Sequence, residues 1–179
     1  MSAVIAAASH RVIAAASHRV AARELLAPDQ LVSRSAKEQF CGTWKLVSWK
    51  IEQANGEVID PPLGPDPLGW IIYQPGGRMC VELMRPDRPN FASNNLMEAT
   101  PEEVEAAFEG YVSYGGSYEV NEQERFVIHR IELSWFPNLV GTEQKRFFEF
   151  AGDRLTLRTP PLTLLGEAQV HRLIWQRLM

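Results

Sequence analysis

The chain has 179 residues, 45% of them apolar and 22% charged, and a formal net charge of −4. That length suits one domain with a substantial core, and the mild acidity leaves no electrostatic case for nucleic acid or an anionic membrane as partner. No apolar run approaches the roughly 20 residues of a membrane helix, and two cysteines, Cys41 and Cys80, are too few for a disulfide scaffold or a thiolate zinc site.

Residues 1–38 differ from the rest. The octapeptide VIAAASHR occurs at 4–11 and again at 12–19, too short and too few to be a solenoid. Its alanines favour a helix to about Leu26, before Pro28. The segment has Arg11, Arg19 and Arg23 but no acid before Glu24, a composition shared with organelle transit peptides. A cytoplasmic location is expected, with organelle targeting left open. His10 and His18 belong to the repeat and are assigned no chemistry. The expected organisation is an extension over 1–38 and a folded domain over 39–179.

The folded part opens with Gly42-Thr43-Trp44 and a strand over 42–53. Strict alternation puts Trp44, Leu46 and Ser48 on one face and Val47, Trp49 and Ile51 on the other. Asn55-Gly56 signals a turn, and the four prolines of 61–67 exclude regular structure there. Strands follow over 69–74 and 78–84, the second with Met79, Val81 and Leu83 opposing Arg78, Cys80 and Glu82. Residues 85–99 form a long irregular segment, of a length that is usually functional or mobile. Thr100-Pro101-Glu102-Glu103 carries helix-start signals. Val104, Ala107, Phe108 and Tyr111 then repeat at helical spacing, and Gly115-Gly116 is read as the helix end. Further strands are expected over 117–122, 125–134, 142–150, 154–158 and 168–178. Eight strands joined mostly by short turns, with one internal helix, predict a mainly all-β fold: an up-and-down antiparallel β-barrel, wide enough for one small ligand.

The segment 127–150 carries the candidate site. Thr142, Gln144, Arg146, Phe148 and Phe150 share one strand face, and Val127, His129, Ile131 and Leu133 share a face of the preceding strand. A histidine, a glutamine and an arginine aimed at an oily interior imply a lined pocket. His129 can exchange a proton near neutral pH, or simply orient its neighbours. A partly dry Arg146 needs a partner. That partner is either a ligand carboxylate, phenolate or developing enolate, or a structural network with Gln144 and Glu132 or Glu82. Tyr73 and Tyr118 can donate hydrogen bonds into the pocket, or pack. Met79, Leu83, Phe108, Tyr111 and Phe148 are core or pocket wall. No nucleophile elbow, zinc-protease helix, dinucleotide loop or phosphate loop is present, and two histidines in the body make a weak metal case, so no cofactor is expected.

Several ordered segments together resemble the lipocalin-like domain family of small bacterial and fungal proteins. Gly42-Thr43-Trp44 resembles the G-x-W opening strand of lipocalins. Gly69-Trp70-Ile71-Ile72-Tyr73, Met84-Arg85-Pro86-Asp87-Arg88-Pro89, Thr100-Pro101-Glu102-Glu103, Phe136-Pro137-Asn138 with Val140-Gly141-Thr142, Gly152-Asp153-Arg154-Leu155 and Leu173-Ile174-Trp175 extend the likeness over roughly 40–178. The resemblance implies a calycin-type barrel. It also implies that Trp44 packs at the closed end under a cationic side chain of the last strand, Arg172 or Arg177. Members of the family often occur beside genes of polyketide and other secondary metabolism, and some are thought to be cyclases or isomerases.

The leading expectation is thus a cofactor-free isomerase or cyclase acting on a small, largely apolar molecule. His129 and Arg146 would be its catalytic residues, and Gln144, Tyr73, Tyr118, Phe148 and Phe108 would bind the substrate. The alternative is a non-catalytic carrier of a hydrophobic metabolite. No membrane or nucleic-acid partner is expected, and a homo-oligomer is left open.

Overall fold

A computed structural model describes residues 34–164 and 167–178. The tandem repeat and the helix expected around it lie outside the described residues. In chain order the elements are α1 (Ala36–Phe40), β1 (Gly42–Gln53), β2 (Val58–Ile59), β3 (Leu68–Tyr73), β4 (Arg78–Met84), α2 (Pro101–Glu109), β5 (Tyr111–Asn121), β6 (Phe126–Ser134), β7 (Glu143–Ala151), β8 (Arg154–Arg158), β9 (Leu162–Leu164) and β10 (Glu167–Arg177), with 3-10 turns at Leu96–Glu98 and Pro137–Leu139. β1, β3, β4, β5, β6, β7, β8 and β10 pair antiparallel in that order, and β10 returns to β1. The result is the expected closed eight-stranded barrel, with β2 and β9 as short additions to β1 and β10. Closure removes the open edges that a flat sheet of this size would expose. Among the described residues no helix is long and apolar enough to cross a membrane.

One end of the barrel is plugged by aromatic side chains. Phe40, from α1, is fully buried, and its ring lies 4.9 Å from Tyr73, 5.0 Å from Phe148 and 5.1 Å from Phe150. Such edge-on pairs add to the area they bury. α1 is held by a capping box between Ser35 and Glu38 and spans the expected domain boundary at 38/39. The buried Trp44 donates its indole N–H to the Phe40 carbonyl at 2.8 Å. Arg177 covers its ring at 4.1 Å and donates to the carbonyls of Cys41 and Gln39. Arg177 is therefore the cationic cover that the resemblance implied. Gly42 sits at φ 132°, and a Cβ there would come 2.7 Å from the Arg177 guanidinium, so glycine is required for this closure.

The structure differs from the sequence reading in three places, each with a local cause. First, α2 stops at Glu109, capped by Gly110, and β5 starts at Tyr111 rather than at residue 117. Tyr111-Val112-Ser113-Tyr114 alternates at a strand period, so the match of Tyr111 to the helical stripe was accidental. Gly115 and Gly116 lie inside β5. A Cβ on Gly116 would stand 1.9 Å from the Arg130 carbonyl oxygen, so glycine marks a close backbone approach there rather than a helix end.

Second, β6 carries an extra residue: Gly115 pairs with Leu133 and Gly116 with Ile131, leaving Glu132 as a bulge. The bulge reverses the alternation beyond it. Val127, His129 and Ile131 point inward as expected, but Leu133 is turned out and 71% exposed. Third, a matching bulge at Val47, between the pairs Leu46–Trp175 and Ser48–Ile174, lets Trp44, Leu46, Trp49 and Ile51 all point into the barrel.

Candidate functional site

Above the aromatic plug the barrel keeps a cavity of about 100 Å³, lined by Trp49, Ile71, Val81, Leu83, Val112, Tyr114, His129, Arg146, Leu157, Thr159, His171, Leu173 and Trp175. Its walls are mostly aliphatic and aromatic. The polar groups come from different strands: Tyr114 from β5, His129 from β6, Arg146 from β7 and His171 from β10. The Val47 bulge re-aims Trp49 toward this space, and the early start of β5 places Tyr114 there.

His129 is fully buried and held at both ring nitrogens. Tyr73 Oη lies 2.8 Å from Nε2, and Tyr114 Oη lies 3.2 Å from Nδ1. Burial, helped by the positive charge of Arg146, pushes the imidazole pKa down to about 3, so the ring is neutral at physiological pH. His171 is lowered by the same two causes, in the same order. Burial also raises the phenols of Tyr73 and Tyr114, with Arg146 pulling both the other way. The Arg146 guanidinium thus contributes, after burial, to the shift of all four groups.

Arg146 has no compensating acid within 4.0 Å among the described residues. Nη1 donates to the Lys145 carbonyl at 2.8 Å, and Nη2 reaches Gln144 Oε1 at 3.5 Å. Gln144 is itself oriented, because its Nε2 donates to Thr142 Oγ1 at 3.2 Å and Thr142 donates to the Leu139 carbonyl at 2.7 Å. The two acids weighed as structural partners are engaged elsewhere: Glu132 pairs with Arg78 at 2.7 Å, and Glu82 accepts from Tyr111 and Ser113. On β1 and β10, Trp49 Nε1, Trp175 Nε1 and His171 Nε2 are buried without a hydrogen-bond partner among the described residues. Unsatisfied buried polar atoms are uncommon, and here three fall on residues of one cavity. Among the described residues no three His, Cys, Asp or Glu side chains gather as a metal site.

Residues 41–178 match the family of lipocalin-like domains. The chain belongs to that family. It is similar to the 4'-hydroxy-3'-methoxypropiophenone carrier protein ppsC of Aspergillus oryzae, with 35% identity over 107 residues, which span 56% of this chain and 96% of that one.

Within this lipocalin-like barrel the residues singled out from the sequence fall at different depths. His129 and Arg146 line the cavity together. Gln144 stands behind Arg146 and orients it, and Tyr73 stands behind His129. Tyr118 is buried toward the plugged end, donating to the Gln74 carbonyl at 3.0 Å, with its ring 4.9 Å from Tyr73. Phe148 belongs to the aromatic plug. Phe108, on α2, is 46% exposed and lies against Trp135. The sequence reading passed over Tyr114, Trp49, His171 and Trp175. For Tyr114 the signal was present in the strand-like alternation of 111–114. For Trp49 it was hidden by a bulge that no local motif announces.

Proposed function

We propose that the protein is a carrier for a small, largely apolar molecule bearing an oxygen acceptor, of the hydroxyaryl ketone type, which it holds in the barrel with that oxygen toward Arg146. The observation that carries this reading is an arginine without a compensating acid among the described residues, set in a cavity whose walls are mostly aliphatic and aromatic and whose other polar groups are uncharged. A half-buried guanidinium with no acid beside it has donors left for an acceptor, and a ligand oxygen supplies one. The similarity to a carrier protein for an aryl ketone supports the same class. A cavity of about 100 Å³ is somewhat smaller than the roughly 150 Å³ cavity that accepts benzene. It therefore takes the polar head of such a ligand rather than the whole molecule.

The isomerase or cyclase reading asks His129 to take up a proton near neutral pH. Its depressed pKa and the engagement of both ring nitrogens weigh against that role and favour binding without turnover. What still favours chemistry is Arg146, a ready counter-charge for an enolate. Calorimetric titration with 4'-hydroxy-3'-methoxypropiophenone, followed by proton NMR of the recovered ligand, separates the readings. The carrier reading expects saturable micromolar binding and an unchanged ligand. Rearranged ligand at catalytic protein concentration would restore the isomerase or cyclase, and no saturable binding would overturn both.

A further inference from the structure

Tyr73, His129 and Tyr114 form a hydrogen-bonded chain whose direction can be worked out. Tyr73 is 1% exposed, and among the described residues its hydroxyl has one partner, His129 Nε2 at 2.8 Å. If Nε2 carried the proton, Tyr73 would only accept, and its own hydroxyl hydrogen would be buried without an acceptor, which is costly. Tyr73 therefore donates and Nε2 accepts. A neutral imidazole has one N–H, which then sits on Nδ1 and donates to Tyr114 Oη at 3.2 Å. The Tyr114 hydroxyl hydrogen is left over. Tyr114 lines the cavity, and no protein acceptor for that hydrogen is found among the described residues.

We propose that Tyr73 and His129 are positioning residues that turn Tyr114 into a hydrogen-bond donor facing the cavity, and that Tyr114 and Arg146 together select the ionised, phenolate-type form of an acidic ligand. The proposal rests on the binding reading above and specifies the chemistry of its ligand. Two further groups of the wall agree in sign: the indole N–H groups of Trp49 and Trp175 are also buried donors without acceptors, while the neutral His171, whose Nε2 is likewise unpartnered among the described residues, adds one N–H donor and one acceptor nitrogen and no charge. A neutral phenol would bring one more donor to a site already rich in them, whereas a phenolate brings only acceptors. On binding, the phenol O–H bond breaks, the electron pair stays on oxygen and the proton passes to bulk solvent. Carboxyl-free neutral ethers bind without this step and more weakly.

The test uses 4-nitrophenol, whose phenolate is yellow and whose phenol is colourless, with 4-nitroanisole as the non-ionising control. At mildly acidic pH the protein should bring up the phenolate absorption, and calorimetry in buffers of different ionisation enthalpy should report close to one proton released per bound probe. Tyr114→Phe should weaken phenolate binding about tenfold, the scale of one hydrogen bond to a charged group, and leave nitroanisole binding unchanged. Nitrogen NMR of the wild-type protein should show His129 Nδ1 protonated and Nε2 bare. Binding of 4-nitrophenol in its colourless form, or a proton on Nε2, would overturn the inference while leaving the carrier reading standing. Binding of neither probe would remove both.

Discussion

At the residue scale, His129 shows how burial decides chemistry. Its type and strand face were readable from the sequence, and both pointed inward correctly. What the sequence could not supply was its partners, because Tyr73 and Tyr114 come from β3 and β5, 56 and 15 residues away. Burial, helped by the charge of Arg146, keeps this candidate proton shuttle neutral, and the two tyrosines hold its ring in place. The stability consequence has a definite sign. The folded pKa, about 3, lies below the ordinary value of 6.5, so below pH 6.5 the unfolded chain takes up a proton that the folded protein refuses. Stability is full above pH 6.5 and falls as pH drops toward 3. Urea unfolding at pH 7.5 and pH 5.5 should differ by about 1 kcal/mol from this group. His129→Gln should shrink that difference, and an unchanged difference in the variant would assign the titration to another group.

At the element scale, strand existence was legible and strand irregularity was not. Alternation placed the inward set of β4 and most of β7 correctly, because nothing interrupts the period of two along those strands. It misplaced Leu133, Trp49 and Ile51, because the bulges at Glu132 and Val47 depend on cross-strand pairing rather than on local composition. The glycine pair in β5 was legible as a special backbone site, but its meaning was a close approach to β6. Gly116→Ala would drive a methyl group into the Arg130 carbonyl. The β5–β6 register should then shift at the Glu132 bulge, at a cost of roughly 3 kcal/mol in chemical denaturation. A near-wild-type midpoint would show that the two strands separate easily there, and that the bulge does not depend on glycine.

At the scale of the whole molecule, one barrel divides into a plugged half and a lined half. The plug is Phe40, Trp44, Tyr73, Tyr118, Phe148 and Phe150, tied by Arg177 to the chain entering β1. The other half holds a cavity with an arginine whose charge no described acid balances. The barrel itself was legible from strand count and turn spacing, and the ordered motifs pointed to the family. The division into plug and cavity was not, since it depends on which inward residues meet across the barrel. The central claim is that Arg146 serves a ligand rather than the fold, and Arg146→Met tests it most directly. Calorimetric titration of the variant with the aryl ketone probe should show affinity ten- to a hundredfold weaker than wild type, at an unchanged melting temperature. Wild-type affinity, or a stability loss of about 3–5 kcal/mol of the kind expected when a buried ion pair is broken, would contradict it.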